Sequence, residues 1–268
     1  MSSGVRLPER LPVDVFDSHC HLDIALEGSA PPVEEALAAA KSVGVTRIVQ
    51  IGCDLKSSRW AAEAAASVED VYGGVAIHPN ETTGVTADVL AEIARLAELP
   101  QVRAVGETGL DYYRDWAPKA DQQRSFRAHI DIAKRTGKAL VIHDREAHDD
   151  VLRILDEEGA PEKTIFHCFS GDAAMARVCA DHGYTMSFAG NVTFKSAEPL
   201  REALKVAPPE LVLVETDAPF MAPVPHRGKP NASSLIPYTV RLMAEVKGMD
   251  LADLCTAIAA NGARLFGW

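Results

Sequence analysis

At 268 residues, with hydrophobic side chains at 47% and charged ones at 24%, the chain can bury a large core, which excludes the disordered and fibrous classes. Lys and Arg number 27 against 38 Asp and Glu, a formal charge of -11, so no global positive field draws the chain onto a polyanion and any nucleic-acid contact must be local. Five cysteines form an odd count without a C-x-x-C pair, MSSGVRLPERLP lacks the apolar core of a signal peptide, and no stretch approaches the ~20 apolar residues of a membrane span; the expected setting is a reducing cytoplasm, with no membrane and no obligate protein partner.

Short runs of branched apolar residues alternate with longer Ala-rich amphipathic stretches, the pattern of a parallel sheet with crossover helices. A strand at Val13 to Phe16 leads to a helix at Val33 to Ser42, and a strand at Arg47 to Ile51 to a helix at Ser57 to Ser67. The pattern continues with strand Val71 to Ile77 and helix Ala87 to Ala97, then strand Val102 to Gly106 and helix Ala120 to Arg135. Strand Ala139 to Ile142 precedes helix Asp144 to Glu158, and strand Thr164 to Phe166 precedes helix Ala173 to His182. Strands at Thr185 to Phe188 and Leu211 to Val214 follow, then a Pro-rich loop from Ala218 to Pro237 and a helix at Leu235 to Val246. Such units in a chain near ~250 residues favour one closed (β/α)8 TIM barrel, a single domain over residues 1–268, against an open doubly wound sheet.

Enzymes on this architecture carry their reactive groups at the C-terminal ends of the strands. There the chain places Asp17-Ser18-His19-Cys20-His21 after the first strand, then Glu107, His143, His167 and Asp217 after the fourth, fifth, sixth and eighth. One His after a strand is an ordinary loop residue, but together these imidazoles and carboxylates are ligands for divalent ions, and too many for one catalytic ion. His19 and His21 share one side of an extended segment, and Cys20 points away.

The segments FDSHCHLD (Phe16 to Asp23), AIHP, VGETGLDYY (Val105 to Tyr113), VIHDRE, FHCFSG, GNVTFK and ETDAPFMAPVPHRGKPN (Glu215 to Asn231) run in order through nearly the whole chain. On these segments the chain resembles the TatD family of metal-dependent deoxyribonucleases within the amidohydrolase superfamily. The resemblance implies a barrel of the metallo-dependent hydrolase type with two divalent ions, magnesium, manganese or zinc. His19, His21 and Asp217 would hold one ion, His143 and His167 the other, and Glu107 would bridge them. Asn80, Thr108 and Ala232-Ser233 depart from the commonest family pattern.

Binding to such ions lowers the pKa of water from 15.7 to about 7, so an activated hydroxide is the expected nucleophile, with Asp217 and Glu107 as catalytic carboxylates and Asp217 taking the proton. His78, Arg145, Lys195, Arg227 and Asn231 are the candidate substrate contacts, Arg227 because a guanidinium can hold two phosphate oxygens at once. Tyr112, Tyr113 and Phe169 are rim aromatics that either stack a base or fill core, and His129, His148 and His182 read as solvated helix residues. The expected activity is 3′-to-5′ exonucleolytic cleavage of DNA, with single strands or 3′ ends as substrate. The alternatives are a superfamily hydrolase opening an amide, lactone or small phosphoester with the same ligands, and a barrel kept only as a binding module.

Overall fold

The computed structural model describes residues 7–28, 30–114 and 116–268. Eight parallel strands pair in sequence order: β1 (Val15–Cys20), β2 (Val45–Ile51), β3 (Val71–Val75), β4 (Val102–Asp111), β5 (Ala139–Arg145), β6 (Thr164–Phe166), β7 (Thr185–Phe188) and β8 (Val212–Val214). The chain is a TIM barrel. Past the end of β8 the ring closes on β1 through a parallel bridge between Cys20 and Ala218, with His21 N–H donating to Ala218 O and Asp217 N–H donating to His19 O.

The crossover helices are α1 (Val33–Ser42), α2 (Leu55–Ser67), α3 (Ala87–Ala97), α4 (Lys119–Thr136), α5 (His148–Glu158), α6 (Ala173–Asp181), α7 (Glu198–Val206) and α8 (Ile236–Lys247), and α9 (Leu251–Phe266) packs beside β1 and β8. Several begin where the sequence supplies a cap. Asp54 accepts from Ser57 N–H ahead of α2, and Asp172 accepts from Ala174 and Met175 N–H ahead of α6. Phe16, Ile48, Ile51, Leu140, Ile142 and Phe188 are fully buried among the strands and helices, each contributing roughly 1.5–3 kcal/mol by leaving water. Among the described residues no helix is long and apolar enough to cross a membrane.

Several boundaries differ from the sequence expectation, four of them next to the site. The first strand begins at Val15 and runs on to Cys20, so Asp17, Ser18 and His19 lie inside it rather than beyond its end. The third strand stops at Val75 because side chains take over its hydrogen bonds: Ser58 Oγ serves both Ala76 N and Ala76 O, and His129 Nε2 accepts from Ile77 N–H. The fourth strand runs on to Asp111, so Glu107 lies inside it rather than beyond its end. Asp144 belongs to β5, and α5 begins only at His148.

Two of these strands carry an extra residue at the points that matter for chemistry. Between Asp17 and Cys20, three steps of β1 face two steps of β2, from Ile48 to Gln50; between Val105 and Thr108, three steps of β4 face two of β5, from Leu140 to Ile142. Such a bulge re-aims the side chain within it. One contains His19 and the other Glu107.

Candidate metal centre

The six residues expected to hold metal meet at the C-terminal mouth of the barrel. His19 Nε2 and His21 Nε2 lie 3.2 Å apart, and Asp217 Oδ1 is 3.8 Å and 3.5 Å from them. Across the barrel, Glu107 Oε1 lies 2.6 Å from His143 Nδ1 and 2.8 Å from His167 Nε2, and these two nitrogens are 3.4 Å apart. The other Glu107 oxygen, Oε2, faces the first group at 3.5 Å from His19 Nε2 and 3.8 Å from His21 Nε2. One carboxylate thus offers an oxygen to each of two donor groups.

Ligand atoms about 2.1 Å from a tetrahedral ion sit roughly 3.4 Å from one another, and the spacing of His19, His21 and Asp217 fits that value. All-nitrogen-and-oxygen donors suit zinc, manganese and related divalent ions. Three of the four imidazoles also have their second nitrogen occupied, as a metal-binding histidine requires for a fixed ring and tautomer. His21 Nδ1 meets Ile51 O at 3.0 Å, His143 Nε2 meets Asp111 Oδ2 at 3.2 Å, and His167 Nδ1 meets Glu215 Oε1 at 3.2 Å. His19 is the exception: its Nδ1 is buried without a partner, and its ring stacks on that of His167 at 4.0 Å.

The charges are concentrated and largely out of water. Burial alone would push the Glu107 carboxyl up, but the charge of His167 and hydrogen bonds from His143 and His167 hold it well below the usual carboxylate range. Asp217 is likewise held down against burial, first by its hydrogen bond with His21 and then by the charge of His167. For His78 and His19 burial prevails and the imidazoles are pushed down. Glu107, Asp217, Asp111 and Glu215 together bring four carboxylates to one mouth, a seat for positive charge.

Asp111, Glu215 and Asp17 lie inside the family segments, but nothing in their spacing announces their roles. Asp111 also accepts from Tyr113 and Arg114 N–H and from Asn80 Nδ2, and Glu215 accepts from Cys168 N–H. Asp17 does not face the mouth. It accepts from Thr216 N–H, Thr216 Oγ1 and Ser233 Oγ, stitching β1 to the loop after β8. Cys53 was also missed. Its Sγ stands 3.8 Å from His21 Nδ1 and 4.0 Å from Glu107 Oε2, whereas Cys20 is buried against Val49 O, away from the ligands as its place in the strand requires.

The candidate substrate contacts scatter. His78 reaches the cluster, Nε2 3.4 Å from Glu107 Oε1. Arg145 lies at the rim with its guanidinium 4.0 Å over the Tyr113 ring, and Arg227 lies 4.5 Å over Phe194. Lys195 is exposed in the loop after β7. Asn231 is buried and its amide holds the loop itself, Nδ2 donating to Thr216 O and Oδ1 accepting from Ala232 N–H. Of the rim aromatics, Phe169 is core, Tyr112 is half-buried with its hydroxyl donating to Asp150, and Tyr113 is exposed. The reading of His129 as solvated is corrected: it is fully buried on the inner face of α4, with Nδ1 donating to Ser125 O and Nε2 accepting from Ile77 N–H. His148 is partly exposed and bonds Asp144 Oδ2 at 2.6 Å, and His182 is exposed.

Comparison with known proteins agrees with this geometry. The family model described as TatD related DNase matches residues 16–267. The chain is 44% identical over 260 residues to the uncharacterized metal-dependent hydrolase TatD of Mycobacterium tuberculosis, covering 94% of this chain and 98% of the relative. It is 38% identical to the uncharacterized metal-dependent hydrolase YabD of Bacillus subtilis, again over 94% of this chain and 98% of the relative. Among solved structures, a TatD homologue of Escherichia coli, YJJV, superposes with a TM-score of 0.88 at 25% identity, covering 95% of this chain and 98% of that one. The chain therefore belongs to the TatD family of metal-dependent hydrolases, on an amidohydrolase-type barrel.

Proposed function

We propose that the chain is a two-metal phosphodiesterase that shortens single-stranded DNA from its 3′ end. The observation that carries this reading is the split of Glu107, whose Oε1 faces His143 and His167 while Oε2 faces His19 and His21. On this reading His19, His21 and Asp217 hold one divalent ion, His143 and His167 the second, and Glu107 spans both. When bound, such a pair supplies Lewis acidity that lowers the pKa of water and stabilises charge developing on a phosphoryl group.

The chain's own residues do the rest. Asp217 has the most exposed side chain of the four carboxylates at 14%, against 5% for Glu107, 1% for Asp111 and 0% for Glu215, so it is the one that can meet an incoming water, orient it and accept its proton. Asp111 and Glu215 keep His143 and His167 in fixed rings and tautomers through the reaction. His78, beside Glu107 and reachable from solvent at 14% exposure, contacts the substrate near the reacting group. Arg145 and Arg227 supply planar cations for phosphates of the strand. The description of the matching family as a DNase supports DNA as the polymer.

Purified protein with magnesium, manganese or zinc, given end-labelled single-stranded DNA beside lactones and cyclic amides, tests the reading. Metal-dependent shortening from the 3′ end is expected. Turnover of a carbonyl substrate without DNA cleavage in any metal would overturn it.

A further inference from the structure

Two large aromatic side chains in the loop after β4 stand in solvent. Trp116 is 65% exposed and Tyr113 59% exposed, although burying rings of this size is worth several kcal/mol to a fold. Each carries a guanidinium on one face: Arg145 lies 4.0 Å from the Tyr113 centroid and Arg114 4.6 Å from the Trp116 centroid. The chain has a net charge of -11, so paired cation and ring at one sector of the rim are a local arrangement and not part of a general positive surface.

The register of β4 against β5 fixes where this sector sits. Asp111, the last residue of β4, pairs with Arg145 and holds His143 through its carboxylate, and Tyr112 N–H donates to Arg145 O at 2.9 Å. Arg145 follows His143 by two residues on one strand, hence on the same face and about 7 Å further out. Tyr113 lies in the bend just past the end of β4, its N–H donating to Asp111 Oδ1 and its ring under the Arg145 guanidinium. Through Arg145 the Tyr113 ring is tied to the strand that carries His143, and Arg114 and Trp116 follow it in the same loop.

We infer that Tyr113 and Trp116, with Arg145 and Arg114, form a stacking platform for unpaired bases adjoining the phosphate held at the metal centre. An aromatic face takes any base, and a planar guanidinium can stack on the ring's other side while its N–H groups reach a phosphate. A duplex hides its base faces, so the platform selects single strands. The inference rests on the reading of the chain as a nuclease and adds to it the means by which a strand is held.

The test is fluorescence anisotropy of the full-length, metal-loaded protein with two labelled probes of equal length, an oligodeoxythymidine and an abasic oligomer, both with phosphorothioate linkages to block turnover. The wild type should bind the thymidine probe roughly 30-fold more tightly than the abasic one. Tyr113→Ala with Trp116→Ala should remove that ratio and leave abasic binding within about twofold, and Tyr113→Phe with Trp116→Phe should restore it. An unchanged ratio in the alanine variant, or an equal fall for both probes, would overturn the platform. Cleavage of end-labelled DNA is measured on the same preparations: cleavage without a base-dependent ratio rejects the platform and keeps the nuclease reading. Base-dependent binding without cleavage in any metal does the reverse.

Discussion

Glu107 Oε1 lies 2.6 Å from His143 Nδ1 across the β4–β5 pair, while the other nitrogen of that ring is held 3.2 Å from Asp111, four residues further along the same strand as Glu107. One strand thus supplies both the group that His143 works with and the group that keeps its ring in place. Glu215 does the same for His167 from the end of β8.

Asp111→Asn and Glu215→Gln keep the shape and remove the charge. Each is expected to weaken divalent-ion binding by about 10–100-fold while the far-ultraviolet spectrum stays that of the wild type. Titration of the metal-stripped variants with manganese, followed by calorimetry, measures this. Wild-type affinity in both variants would deny these carboxylates a positioning role.

Gly109 lies two residues beyond Glu107 with φ +137, and a Cβ there would overlap the His143 carbonyl oxygen. Only glycine serves both conditions. Gly109→Ala should therefore cost on the order of 3 kcal/mol, a fall of roughly 10 °C in melting temperature, and should displace His143. A variant that melts with the wild type would show that β4 can yield at this point.

Asn231 was expected at the substrate, and the structure gives its amide to the loop. Asn231→Ala should lower stability by about 2 kcal/mol in urea unfolding, since Thr216 O and Ala232 N–H lose their partner. A rise in KM with unchanged stability would restore it to the substrate's side.

His129 makes an acid-sensitive joint between α4 and the end of β3. Burial pushes its imidazole down to about 4, with a weaker upward pull from Ser125 O, and Nε2 must stay unprotonated to accept from Ile77 N–H. Because the folded value lies below the ordinary one near 6.5, the unfolded chain binds the extra proton between the two. The stabilisation is complete above that ordinary value and is lost as pH falls toward 4, up to about 3 kcal/mol. Urea unfolding of the wild type and His129→Gln at several pH values isolates it. The variant should start less stable at neutral pH and lose about 3 kcal/mol less on acidification; parallel curves would contradict the assignment.

The barrel was legible because its signal is repeated: a wrong boundary in one unit, such as Ile77, leaves the alternation of the others intact. Strands Thr164 to Phe166 and Thr185 to Phe188 and helices Val33 to Ser42 and Ala87 to Ala97 fall where expected, the last marked by its Thr86 cap. The convergence of the six candidate ligands was legible for a different reason, since a parallel barrel brings every strand's C-terminal end to one rim. What could not be read was direction. A histidine on a helix shows no sign of which way it faces, so buried His129 resembled exposed His182. A bulge leaves no mark in composition, and His19 and Glu107 read as lying after strands that in fact contain them. Asp111 and Glu215 act through another side chain, a relation set by tertiary contact alone.

In the proposed site Glu107 joins two ions. The most direct measurement is the number of tightly bound divalent ions per chain, by equilibrium dialysis and elemental analysis, in the wild type and in Glu107→Gln. Two are expected in the wild type and no more than one in the variant, with hydrolysis lost. A wild type that is fully active with a single ion, or a variant that still holds two, would contradict this.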